Sequence, residues 1–144
     1  MALFCFMQVE LNSPCKVNFI LNILGKRPDG FHELETLMHP VPVHDLLRFE
    51  RGRTASAGVE LTCNLPELPC DASNLVHRAA TQFLAAAKIG DGVKIHLEKR
   101  IPLSAGLGGG SGNAATTLLG LNQVFGNPLG RTELEEVAAR LGSD

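Results

Sequence analysis

The sequence predicts an α+β domain, and three observations carry the prediction. Apolar and polar residues alternate over residues 16–24, 59–63 and 93–97, the period of half-buried strands. Apolar residues recur at helical spacing over residues 74–88 and 132–141. A glycine-rich run, PLSAGLGGGSGNAA at residues 102–115, leads from the last strand pattern into a third helix-compatible stretch at residues 113–124.

The 144 residues suit one domain able to bury about two thirds of its unfolded surface. A composition of 44% hydrophobic and 19% charged residues is that of an ordinary globular protein. The net charge of -2 supplies no basic field for a nucleic-acid backbone, so small molecules are the expected partners. Cys5, Cys15, Cys63 and Cys70 form no Cys-x-x-Cys pair and meet no paired histidine spacing, which argues against zinc and for reduced thiols in a cytoplasmic protein. The apolar opening at residues 1–7 lacks the basic flank and cleavage pattern of a signal peptide. Elsewhere no run reaches the length that spans a bilayer, so no membrane partner is expected.

In chain order, the first strand pattern sets Val17, Phe19, Leu21 and Ile23 on one face. Lys16, Asn18 and Asn22 share the other with Ile20 and Leu24. Lys16 and Asn18 can donate together to a phosphate or a hydroxyl; a merely solvated pair is the plainer alternative. Pro28, Asp29 and Gly30 then mark a tight turn that presents Phe31 and His32. An aromatic face beside an imidazole suits a pyrimidine base, although a core phenylalanine and a surface histidine are the plainer reading of the residues alone. Pro40 and Pro42 suggest a loop entering a strand at residues 45–49, and His39 and His44 have no metal-like partners. Val59, Leu61 and Cys63 give another strand, and Pro66 and Pro69 a loop after it.

The helix at residues 74–88 buries Leu75, Val76, Ala79, Ala80, Phe83, Leu84 and Ala87, with Asp71 or Ser73 as its cap and Asn74 a capping-region residue. Val93, Ile95 and Leu97 form the strand that ends at Lys99 and Arg100, two cations that are either surface charge or neighbours of a phosphate. In the last helix Thr132 and Glu135 read as a capping box, and Leu134, Val137, Ala138 and Leu141 as the apolar stripe before Gly142.

The glycine run, with Gly106, Gly108, Gly109, Gly110 and Gly112, has the composition of a phosphate loop opening a helix, where free N–H groups and the helix dipole favour an anion. A flexible linker has a similar composition but does not usually join a strand to an Ala-rich helix. It is not a Walker A loop, because Ser111, Gly112 and Asn113 follow where a lysine is needed. Nor is it a dinucleotide fingerprint: Gly106 and Gly108 are followed by Ser111 at the sixth position. What remains is an opening from Pro102 to Gly108 that includes Leu107, then Gly109, Gly110, Ser111 and a small-residue helix start.

GLGGGS at residues 106–111, followed by NAAT at 113–116, resembles the second motif of the GHMP kinases. SPCKVNFILNILGKRPDGFHELETL at residues 13–37 and LGSD at 141–144 resemble the same family in the same order. The resemblance implies a mixed sheet packed with helices, of the ribosomal protein S5 domain 2-like kind. It also implies that residues 1–144 are an N-terminal ATP-binding domain whose C-terminal partner and third glycine-rich motif are missing. ATP and Mg2+ are the implied cofactors, and a cytidine diphosphate derivative of a sugar alcohol on the non-mevalonate isoprenoid route the implied substrate. By the same resemblance Lys16 and Asp144 are catalytic, and Asn18, Phe31 and His32 hold the substrate. The implied ATP-binding set is Asn74, Lys99, Pro102, Gly106, Leu107, Gly108, Gly109, Gly110, Ser111, Gly112 and Asn113. Phe31 stands where the family commonly has tyrosine, Gly112 where it has a second serine, and Ser143 where it has another small residue. Three other readings stay open: a GHMP kinase for another alcohol, a non-catalytic nucleotide-binding module, and a fragment exposing apolar surface.

Overall fold

The computed structural model describes residues 7–52 and 58–142. Four strands, β1 (Gln8–Lys26), β2 (His32–Gly52), β3 (Val59–Cys63) and β4 (Gly92–Glu98), alternate in part with three helices, α1 (Leu75–Ala86), α2 (Gly109–Val124) and α3 (Arg131–Leu141). The sheet order is β1-β2-β4-β3. β1 with β2 and β2 with β4 are antiparallel, whereas β3 with β4 is parallel, so the sheet is mixed.

Strand alternation directs Leu47 and Phe49 of β2, Leu61 of β3, and Val93, Ile95 and Leu97 of β4 to one face. There they meet Val76, Ala79, Ala80 and Phe83 of α1, Leu118, Leu121 and Val124 of α2, and Val137 of α3 in a single core. α2 approaches the sheet closely because Gly120 has no side chain: a Cβ there would lie 2.2 Å from Cε2 of the buried Phe49 ring. No helix among the described residues is long and apolar enough to cross a membrane.

The hairpin of β1 and β2 is longer than the alternation suggests. Pro40 and Pro42 lie within β2 rather than in a loop. They are tolerated because β4 pairs with β2 only from Leu46 onward, which leaves one edge of β2 open at both prolines. The pairing also slips between Pro14 and Cys15, which bends the hairpin at this point. Beyond it the arm exposes apolar residues at successive positions: Phe19, Ile20, Ile23 and Leu24 are all exposed. The turn at its tip closes as read, with Gly30 N–H donating to Arg27 O at 3.0 Å and Phe31 N–H to Asp29 Oδ1 at 3.1 Å.

Helix starts differ from the reading in three places. Asn74, not Asp71 or Ser73, caps α1, its Oδ1 accepting Val76 N–H at 2.9 Å; Asp71 instead accepts Ser73 N–H in a local turn. α3 begins after Gly130, whose N–H donates to Glu133 Oε2 at 2.8 Å, so the capping interaction lies two residues earlier than the Thr132–Glu135 pair. α2 begins at Gly109, inside the glycine run, which places Gly109, Gly110 and Gly112 in the helix.

Candidate active site

The site forms where β4 hands the chain to α2. Residues 102–108 loop outward and return through Gly108, which takes the N-cap position of α2 with φ 68°. That left-handed conformation suits glycine, and a Cβ here would also lie 3.0 Å from Cε of Lys16. No side chain caps α2 and no acidic residue occupies its first turn. The first N–H to find a helical acceptor is that of Gly112, bonded to Gly108 O at 2.8 Å, so those of Gly109, Gly110 and Ser111 stand at the open end of the helix. The dipole adds a partial positive charge at the same place.

In front of this helix end lies a cleft of about 430 Å³. Asn74, Lys99, Pro102, Asn113 and residues 106–111 all line it, together with Leu68 and Pro69 from the loop before α1. The structure therefore collects almost the whole expected ATP-binding set around one opening. Gly112 alone faces elsewhere, its Cβ position lying 2.8 Å from Pro14 O, so here the place of the second serine is taken by contact between α2 and β1. Asn74 faces the cleft while also capping α1 and donating to Pro69 O at 2.8 Å.

Lys16 and Asn18 sit on one face of β1 beside the loop, as alternation requires. Lys16 Nζ donates to Asn18 Oδ1 at 2.6 Å and reaches Gly106 O at 3.4 Å, while Lys16 N–H donates to Leu107 O at 2.9 Å. Asn18 Nδ2 in turn donates to Thr36 Oγ1 at 2.7 Å. The ammonium thus stands at the rim of the phosphate loop, oriented by an amide that β2 holds in place. Thr36 was not legible as a site residue, because its role comes from cross-strand proximity alone.

Phe31 and His32 are not brought to this group. His32 pairs with Lys26 at the tip of the arm, roughly 30 Å along the strand from Lys16. Asp144 lies outside the described residues. His39 packs its ring 5.6 Å from that of Phe19, a local contact on the arm.

Beneath the loop is a buried polar cluster that the sequence did not announce. Asp45 is wholly buried and forms an ion pair with Lys99, Oδ2 to Nζ at 2.6 Å. Asn113 bridges outward, accepting from Lys99 Nζ at 3.2 Å and donating to Ser13 Oγ at 3.0 Å. Burial alone would push the Asp45 carboxyl upward, but hydrogen bonds from Ile101, Lys99, Arg100 and Asn113 outweigh it and hold the group below the usual carboxylate value. Lys99 therefore lies under the loop with its charge already matched.

Residues 74–144 match the family model described as GHMP kinases N terminal domain. A 4-diphosphocytidyl-2-C-methyl-D-erythritol kinase of Acaryochloris marina (strain MBIC 11017) is 45% identical over 134 residues, 93% of this chain and 43% of the relative. The protein of the same name from Syntrophomonas wolfei subsp. wolfei is 42% identical over 136 residues, 94% of this chain and 47% of the relative. A crystal structure of 4-(cytidine 5'-diphospho)-2C-methyl-D-erythritol kinase superposes with a TM-score of 0.78 at 40% identity, covering 94% of this chain and 47% of that one. A mevalonate kinase crystal structure, with a TM-score of 0.67 at 16% identity over 92% of this chain and 46% of that one, shares the fold. The chain spans less than half the length of these relatives.

Proposed function

We propose that this chain, whose residues 74–144 match the GHMP kinases N terminal domain, is the ATP-binding half of a small-molecule kinase, one that phosphorylates the 2-hydroxyl of 4-diphosphocytidyl-2-C-methyl-D-erythritol on the non-mevalonate route to isoprenoids. The observation that carries this reading is the uncapped start of α2, with Gly108 as its N-cap, opening on a cleft whose loop Lys16 touches at Gly106. Phosphate oxygens placed there accept from the N–H groups of Gly109, Gly110 and Ser111. The rest of the nucleotide lies along the cleft toward Asn74 and Pro69.

Phosphoryl transfer asks the protein mainly to position its reactants and to stabilise charge. Lys16, oriented by Asn18, supplies a cation at the edge of the loop where charge develops on the transferring group. Asp144 accepts or orients the proton of the attacking hydroxyl. Mg2+ fits as a companion of the nucleotide: such an ion would be held largely by phosphate oxygens and water, and the Ser111 hydroxyl, which lines the cleft at the start of α2, could add one protein ligand. When bound it neutralises phosphate charge. Phe31 and His32, at the tip of the arm, take the cytosine end of the substrate.

The reading is tested in a protein of the relatives' full length that contains this chain, assayed for ATP-dependent phosphorylation of the cytidine diphosphate substrate. Asp144→Asn should lower turnover by about 10²-fold or more. Near-normal turnover would remove Asp144 from the mechanism. Transfer to another alcohol with no inhibition by CDP would point to a different substrate.

A further inference from the structure

The carboxylate of Asp45 takes part in no step above, yet it holds together the parts that shape the phosphate site. Its Oδ1 accepts the backbone N–H groups of Arg100 at 2.6 Å and Ile101 at 2.8 Å. Its Oδ2 accepts Lys99 Nζ at 2.6 Å and Asn113 Nδ2 at 2.9 Å. One carboxylate therefore fixes the strap that leads from β4 into the loop and also, through Asn113, the N-terminal part of the helix that leaves it. Ionised and accepting at both oxygens, it is held in one orientation, and in the low-dielectric interior each of those bonds is stronger than it would be in water.

A second side chain grips the same strap from the surface. Lys99 N–H donates to Asn64 Oδ1 at 2.7 Å, and Asn64 Nδ2 donates to Lys99 O at 3.2 Å. Residues 99–101 are thus clamped from inside by a buried carboxylate and from outside by an exposed amide. Past the clamp, the loop touches β1 through Lys16 at Gly106 and Leu107. The distance between the loop and the open end of α2 is set at these anchors.

We propose that Asp45 and Asn64 are the positioning residues of the phosphate site, clamping residues 99–101 so that the loop and the start of α2 keep the spacing that a bound polyphosphate needs. Asp45 also takes up the charge of Lys99, so the backbone N–H groups of α2, rather than a free lysine, meet the phosphates first. This inference rests on the nucleotide reading given above.

The test is a calorimetric titration of the unaltered chain and of its Asp45→Asn and Asn64→Ala variants with β,γ-imido-ATP and Mg2+, and separately with adenosine. Each variant should bind imido-ATP about ten-fold more weakly or worse, with adenosine affinity unchanged because adenosine carries no phosphate. A purely structural role would lower the melting temperature and leave the affinity of the folded protein as it was, which overturns the proposal. Equal loss for both ligands overturns it as well, since the damage would then not be specific to the phosphates. Should Asp45→Asn not fold, Asn64→Ala decides alone, because Asn64 is exposed and its truncation strands no buried charge. If the unaltered chain binds no imido-ATP, the nucleotide reading falls and takes this inference with it; failure at the variants alone leaves that reading standing.

Discussion

Lys16 on β1 donates its ammonium to the side-chain oxygen of Asn18 at 2.6 Å, and the same ammonium stands 3.4 Å from the carbonyl of Gly106 in the loop. The pair joins the hairpin arm to the phosphate site. In a full-length protein containing this chain, Lys16→Met should therefore cut turnover by about 10²-fold or more while the apolar stem preserves packing. Turnover assays with a parallel melting curve check this, and an active Lys16→Met protein would show that the cation is dispensable.

Gly108 combines a positive φ with close contact to Lys16. Gly108→Ala should destabilise the chain by about 1–2 kcal/mol, the cost of an L-residue in the left-handed region. It should also weaken binding of imido-ATP, since the first turn of α2 must shift. Chemical denaturation and calorimetry measure the two effects separately.

Gly120→Ala tests the packing of α2 on the sheet. The new methyl group would overlap the ring of Phe49, which is fully buried, so a loss of about 1–3 kcal/mol is expected in denaturation experiments. Gly90→Ala, where nothing lies within 4 Å of the added carbon, serves as the control and should stay close to the unaltered chain.

How much of this was legible follows from where the physical signals lie. Alternation located β3 and β4 because their inward residues are buried or half-buried, and helical spacing located the stripes of α1 and α3 for the same reason. Along the arm it failed to find the strand ends: Phe19 is 66% exposed and Ile20 47%, so period two there separates no inside from outside. Pro40 and Pro42 looked like a break because the open edge of β2 is a property of the sheet, not of the local sequence. The glycine run disclosed the loop, yet Asp45 stayed hidden. Its partners Lys99 and Asn113 are 54 and 68 positions away, and a single carboxylate in an apolar run carries no local mark of such pairing.

The same carboxylate makes stability depend on pH. Asp45 is held below its ordinary value of 3.8 in the folded chain, so its contribution is complete above the unfolded pKa and is lost as pH falls through the lower folded value. Denaturation midpoints recorded between about pH 5 and about pH 1 should fall steadily for the unaltered chain. Asp45→Asn should start lower, because a buried cation has lost its partner, and show a shallower acid limb. An acid limb of equal slope in both proteins would place the relevant carboxylate elsewhere.

The open end of α2 is the proposed seat of nucleotide phosphate. The most direct measurement is a pair of ¹H–¹⁵N spectra of this chain, without and with β,γ-imido-ATP and Mg2+. Phosphate bound there should produce saturable shifts that are largest at the amides of Gly109, Gly110 and Ser111 and that extend to Lys16. A folded chain whose Gly109, Gly110 and Ser111 amides do not move when the analogue is added would contradict it.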